Sequence, residues 1–333
     1  MKVVVIAPMH ERGRNILERA YQVEYGGWAV HEPVVNPLPA DEEIIELAHD
    51  AQAIIVPGEF STQLMEGCPQ LKVIGVARGD PRGVDLEEAT RRGIPVVYAA
   101  GRNASAVAEL TIAFAIMLTR QLVQAHRFVQ DRGWRTWDDL FATTLIEGLE
   151  LAQRKIGLVG LGYIGELVAA RAKVFDMQVL VYDPYVDLER IEDLGLVKSD
   201  LKELMTESDI VSIHCKLTDE TTGLIGEEEL GWMKPNSYLI NTARAAVVDK
   251  DALYQAIVTK KLAGVALDVY WEEPLPLDSA FLNLPNVIHT PHIGGATMEV
   301  EAHTAMIVAQ DVDAVLSGNL PERIANPEVF NGT

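Results

Sequence analysis

Short, nearly unbroken apolar runs recur along the chain, and they constrain its fold more than any other feature. "KVVVIAP" (2–8), "AIIVPG" (53–58), "KVIGVA" (72–77) and "PVVYA" (95–99) form a first series. "KIGLVG" (155–160), "QVLVYD" (178–183), "IVSIH" (210–214), "YLINT" (238–242), "GVALDV" (264–269) and "VIHT" (287–290) form a second. A strand with one wet face alternates apolar and polar residues, whereas a parallel strand covered on both faces does not. Helical patterns such as 163–175 and 249–260 fill the gaps, bounded by turn and cap residues. The alternation predicts an α/β protein built on doubly wound parallel sheets.

At 333 residues the chain has the length of about two domains of roughly 150 residues each. Two extended helical patterns, 103–130 and 297–317, read as the crossovers between them. The expected division is 1–103 with 298–333 in one domain and 104–297 in the other.

Charge removes several function classes. Against 28 basic residues stand 49 acidic ones, a net charge of −21, which repels nucleic acid. The longest nearly apolar run, Leu110 to Leu118, falls far short of the ~18 residues of a membrane span, so no membrane is expected. The same field repels small anions, so clustered arginines carry more information here than in a basic protein. The two cysteines, Cys68 and Cys215, are too few for a disulfide framework or a zinc-finger set, and no metal is expected. "MKVVVIAP" leads straight into a strand pattern without a signal sequence, so a cytoplasmic location is expected.

"VGLGYIGELVAARA" places Gly160, Gly162 and Gly165 in a G-x-G-x-x-G turn between a strand and a helix. The first glycine permits the turn, the second lets the backbone approach a pyrophosphate, and the third packs helix on strand. The helix N-terminus then favours the phosphates' charge. The next strand ends in Asp183, about 20 residues on, where a carboxylate accepts from ribose hydroxyls and repels a 2′-phosphate. NAD is the expected cofactor.

Three further strand ends carry polar residues that packing does not require. Arg244 follows "YLINT", Glu273 lies in "DVYWEEP" and His292 in "HTPHIGGAT". Parallel strands share one ligand-binding edge, so the three converge on one crevice. Reduction of a 2-keto acid needs a hydride and a proton. An imidazole such as His292 suits the proton transfer, and a carboxylate at Glu273 would orient the ring and favour its charged form. Arg244 would hold the substrate carboxylate through its planar fork. His10, His126 and His214 lack such company and read as structural.

Five motifs in order, "NASAVAEL" (103–110), "GLVGLGYIG" (157–165), "LINTARAAVVDKDAL" (239–253), "GVALDVYWEEP" (264–274) and "NVIHTPHIGGAT" (286–297), closely resemble the D-2-hydroxyacid dehydrogenase family. The resemblance implies a Rossmann NAD-binding domain and a flavodoxin-like substrate domain. It implies catalytic roles for Arg244, Glu273 and His292. Cofactor contacts are implied at Tyr163, Ile164, Asp183, Cys215, Thr242, Ala243 and Asp268, with Gly294 and Gly295 nearby. Asp268 would address the nicotinamide carboxamide. A homodimer formed through roughly 103–150, where Trp134 and Trp137 lie, is also implied; ordinary core packing is the other reading of those tryptophans.

The departures bear on substrate. Ala245 stands for the usual glycine, and Lys216 replaces the usual proline in "HCKLT". In "ARGDPRGVD" (77–85), where relatives show a Gly-x-Gly turn for the substrate carboxylate, Arg78 and Asp80 flank Gly79 and Arg82 follows. Either Arg78 or Arg82 reaches a second anionic or polyhydroxylated part of the substrate, or Arg78 pairs with Asp80. The chain stops soon after "NPEVF", so no appended regulatory domain is expected. An NAD-sensing interaction protein with little turnover is the alternative to an oxidoreductase; an unrelated Rossmann reductase would make Glu273 and His292 coincidental.

Overall fold

The computed structural model describes residues 1–29 and 39–330. The chain divides into two compact units, residues 1–103 with 297–333, and residues 104–296.

The first unit is built on one parallel sheet of β1 (Lys2–Val5), β2 (Gln22–Tyr25), β3 (Ala53–Val56), β4 (Val73–Val76) and β5 (Val96–Tyr98), in the order β2-β1-β3-β4-β5. That is the flavodoxin-like order of a doubly wound sheet. The register aligns Val4 with Ile54, Ile54 with Ile74 and Ile74 with Val96, all fully buried. These residues feed one core, together with Phe60, Leu64 and Met65. Their neighbours Val3, Val5, Ile55, Val73 and Val97 point the other way and meet Val308 and Val312 of the helix Met298–Leu316. Two covered faces explain why these strands read as unbroken apolar runs.

The second unit holds β6 (Lys155–Val159), β7 (Gln178–Tyr182), β8 (Val197–Lys198), β9 (Ile210–Ile213), β10 (Ser237–Asn241), β11 (Leu262–Leu267) and β12 (Val287–His289). All are parallel, in the order β12-β11-β10-β9-β6-β7-β8. Counted from β6, this is the Rossmann order 3-2-1-4-5-6 with a further strand at one edge. One face buries Ile156, Leu158, Val181, Ile210 and Ile240 against the helices Ala104–Thr119 and Tyr163–Val174. The other buries Val159, Val211, Leu239 and Val265. The direction of winding reverses between β6 and β9, so the ligand crevice of this sheet opens at their C-terminal ends.

Two elements differ from the sequence reading. β2 carries Gln22 and Glu24 and is largely solvated, so an edge strand of this kind has no apolar run to announce it. The helical pattern 103–130 is two helices, Ala104–Thr119 and Leu122–Gln130, bent by 62° at Gln121, which is left-handed at φ 50°.

Candidate active site

The glycine turn is shaped by close approaches. Gly160 has φ +101°, and a Cβ on it would lie 2.6 Å from the Cys215 amide nitrogen. A Cβ on Gly165 would lie 2.4 Å from the Gly160 carbonyl. At Gly162 a Cβ would meet no atom within 4 Å, so the backbone there borders open space. The helix Tyr163–Val174 starts at this point, and its first intrahelical bond to the turn runs from the Glu166 amide to the Gly162 carbonyl, 3.0 Å. The amides before it have no helical acceptor and are free for an anion.

Asp183, one residue past β7, lies beside the turn. Its Oδ2 accepts from the Leu161 amide at 2.8 Å and its Oδ1 from the Tyr185 amide at 2.9 Å. Each oxygen keeps a lone pair for a further donor. An open cradle at Gly162, unpaired amides and an anchored carboxylate fit a dinucleotide. Tyr163 is exposed at the helix start, whereas Ile164 packs against the core. Cys215 abuts Gly160, and burial pushes its thiol up to about 11, which keeps it neutral. The Thr242 hydroxyl faces the Thr111 hydroxyl at 3.3 Å, and both residues are buried.

Arg244 is set by Asn241, the last residue of β10. The buried Asn241 amide donates to the Arg244 carbonyl and accepts from the Ala243 amide, both at 3.0 Å. The exposed guanidinium donates to the Ala243 carbonyl at 2.7 Å and has no carboxylate partner among the described residues. Glu273 divides its carboxylate: Oε1 accepts from the Tyr270 amide at 2.9 Å, and Oε2 meets His292 Nδ1 at 2.7 Å. Desolvation alone would raise the Glu273 carboxyl. The His292 and Tyr270 hydrogen bonds and the Arg244 charge together outweigh it and hold the group below the usual carboxylate range. The three residues expected to act together are thus brought together within one unit.

His292 sits at φ +55°, an uncommon conformation for a side-chain-bearing residue. Asp268, just past β11 and 1% exposed, fixes the loop around it. Its Oδ1 accepts from the Thr290 hydroxyl at 2.6 Å and the Ile293 amide at 2.8 Å, and its Oδ2 from the Gly294 amide at 2.8 Å. Gly295 follows in the same loop. The anchoring roles of Asn241, Thr290 and the Tyr270 amide escaped the sequence reading. Their one sequence signal is a polar residue inside or closing an apolar strand, as Asn241 closes "YLIN".

The Arg78–Gly79–Asp80 loop belongs to the first unit. Asp80 pairs with Arg82, through Nε and Nη2 at 2.9 Å each, and not with Arg78.

Fold and site together define a dinucleotide-dependent oxidoreductase. Residues 112–294 match the family described as D-isomer specific 2-hydroxyacid dehydrogenase, NAD binding domain. The chain is 38% identical to a glyoxylate reductase of Thermofilum pendens, over 99% of this chain and 95% of that one. It is 36% identical to a D-3-phosphoglycerate dehydrogenase of Methanocaldococcus jannaschii, over 98% of this chain but 59% of the relative. A crystal structure of the TT0316 protein from Thermus thermophilus superposes with a TM-score of 0.73 at 33% identity, over 98% of this chain and 100% of that one. The chain belongs to the D-isomer specific 2-hydroxyacid dehydrogenase family and is an NAD-dependent oxidoreductase.

Proposed function

We propose that the protein interconverts a D-2-hydroxy acid and its 2-keto acid, with His292 as acid and base, Glu273 holding it and Arg244 binding substrate. The observation that carries this reading is the 2.7 Å His292–Glu273 pair with the Arg244 charge acting on it. Bound NAD supplies the hydride acceptor at C2, and NADH the donor. The chain's residues do the rest. With Nδ1 engaged by Glu273, the other ring nitrogen of His292 is left to give a proton to the keto oxygen, or to take one from the hydroxyl. The Arg244 fork pairs with the C1 carboxylate and draws the adjacent carbonyl into register. Asp183 and the open amides at Gly162 are the residues that would hold the adenosine and pyrophosphate ends.

The test is NADH absorbance with purified protein and a panel of 2-keto acids, from glyoxylate and hydroxypyruvate to phosphorylated and sugar-derived acids. Turnover on at least one member is expected, falling by about 100-fold or more in His292→Ala while NADH still binds. Tight NADH binding without oxidation across the panel would instead favour a sensing role.

We also propose a homodimer formed through residues 103–150. Trp134, Trp137 and Phe141 are 50%, 64% and 60% exposed, yet their rings pack on one another at 5.6 and 6.4 Å. A cluster of aromatic rings left in solvent fits a subunit contact. Sedimentation should give twice the chain mass for wild type and a monomer for Trp137→Asp.

A further inference from the structure

The sheet of the second unit has a second end. β6, β9 and β10 are parallel neighbours, so their first residues share the edge opposite the ligand crevice. A cavity of about 120 Å³ lies there, lined by Arg154, Asp209, Lys234 and Tyr238 and closed on one side by Thr119. The five residues of β10 set this end roughly 13 Å from the end that carries Arg244.

The cavity gathers donors that nothing in the chain uses. The Arg154 backbone is fixed, its amide donating to the Leu151 carbonyl at 3.0 Å and its carbonyl accepting from the Gln178 amide at 2.9 Å. Its half-buried guanidinium has no hydrogen bond or ion pair among the described residues. The last turn of the helix Ala104–Thr119 does not occupy it. The Thr119 carbonyl accepts from the Leu149 amide at 2.8 Å, and the Thr119 hydroxyl donates to the Ala115 carbonyl at 2.8 Å. The Tyr238 ring packs on the core that holds Leu118 and Leu151, and its hydroxyl also lacks a hydrogen bond among the described residues. Desolvation raises that hydroxyl and the Arg154 charge draws it back, so the two groups lie within electrostatic reach.

Asp209 belongs to the same wall, and both its oxygens are engaged. Oδ1 accepts from Lys234 Nζ at 3.0 Å, and Oδ2 from the Lys155 amide at 2.8 Å. An ammonium has three hydrogens, so Lys234 keeps donors beyond that bond. Two cations less one carboxylate leave the lining at +1, in a chain whose net charge is −21. A water molecule needs about 10–15 Å³ of cavity, so a phosphate or a small carboxylate has room.

We propose that Arg154, Lys234 and Tyr238 form a binding site for a small oxyanion, a phosphate or a carboxylate, at the end of the sheet away from the cofactor. The Arg154 fork takes two of its oxygens, and the Lys234 ammonium and the Tyr238 hydroxyl donate to the rest. Bound there, the anion ties together the starts of the three strands whose far ends carry the glycine turn, Cys215 and Arg244.

The test uses the full-length protein saturated with NADH, whose own phosphates hold the turn at Gly162. Inorganic phosphate and acetate are titrated calorimetrically at matched ionic strength, and whichever binds more tightly identifies the oxyanion. The tighter anion should bind saturably and raise the melting temperature. Arg154→Gln should weaken it about tenfold or more, and Tyr238→Phe, which removes one neutral donor, about threefold or more. Arg154→Lys should keep part of the affinity, and Arg244→Gln all of it. Should Arg154→Gln fail to fold by circular dichroism, Tyr238→Phe decides alone. No saturable binding of either anion overturns the site, as does binding that neither Arg154→Gln nor Tyr238→Phe changes. Binding lost in Arg244→Gln and kept in Arg154→Gln places the anion at the catalytic end and overturns it as well.

Discussion

Asp268 does not bond to the His292 side chain, yet it fixes it, by accepting hydrogen bonds from residues 290, 293 and 294 on either side of the ring-bearing residue. A non-glycine residue at positive φ costs of order 1–3 kcal/mol and persists where its surroundings over-determine it. The buried carboxylate supplies that determination. Asp268→Asn puts an amide where three donors now meet a charge, so the loop relaxes and the imidazole leaves its bonding position. The expected result is a fall in kcat of about 100-fold with a much smaller change in KM. A loss confined to KM would show that Asp268 serves binding alone.

Glu273 stays ionised below the usual carboxylate range, so its partnership with His292 persists into mildly acid conditions. Removing the charge while keeping the shape, in Glu273→Gln, takes away an anion that favours a proton on its partner. Keto-acid reduction should slow about 10- to 100-fold while NADH affinity is kept. Steady-state rates beside an NADH titration decide this, and an unchanged rate would contradict it.

Two neighbouring glycines separate folding from cofactor binding. Gly160→Ala forces a Cβ at φ +101° into the Cys215 backbone and should cost at least about 2 kcal/mol of stability. Gly162 has an ordinary φ of −87° and open space around it, so Gly162→Ala should melt within about 2 °C of wild type. The added methyl occupies the cradle, and NADH binding should weaken about tenfold or more. Calorimetric melting and NADH fluorescence titration read the two effects apart.

The carboxylate of Asp183 already serves the Leu161 and Tyr185 amides, so it shapes the cofactor turn as well as facing it. Asp183→Ser should weaken NADH binding and raise the NADPH-to-NADH ratio of kcat/KM about tenfold or more. An unchanged ratio would remove the discriminating role from this residue.

His214 gives a stability test. Its Nε2 meets the Ser212 hydroxyl at 2.9 Å, its Nδ1 is enclosed without a partner among the described residues, and burial pushes it down to about 3. A folded pKa below the unfolded value of 6.5 means that the unfolded chain binds the proton more readily. Stability from the neutral ring is therefore full above about pH 6.5 and is lost as pH falls below it, by up to about 2 kcal/mol at pH 5. Urea unfolding at pH 7 and pH 5 should show a smaller difference for His214→Gln than for wild type.

The sheets were legible because burial on both faces leaves unbroken apolar runs, and Arg244, Glu273 and His292 stood out because they sit where such runs end. β2 was not legible, since Gln22 and Glu24 belong to an edge that packs little. The pairing at Asp80 was not legible either. Composition offers both Arg78 and Arg82, and the choice falls to a local turn in which Arg82 Nε, Nη2 and amide all reach one carboxylate. Asn241 was hidden inside a strand pattern, because what it secures is the backbone of the next loop and not its own surroundings.

The first unit begins the chain and is completed by its end, since Val308 and Val312 fill one face of the sheet formed by residues 2–98. On a ribosome that order has a cost in time. Residues 1–103 emerge first but lack the helix that covers them until nearly 200 further residues have been made, roughly 10 to 40 seconds at ordinary elongation rates. The contiguous unit 104–296 has all its strands before then and is free to fold first. The nascent chain therefore carries a half-covered apolar sheet while residues 104–296 are made, and that interval is where a chaperone would find it.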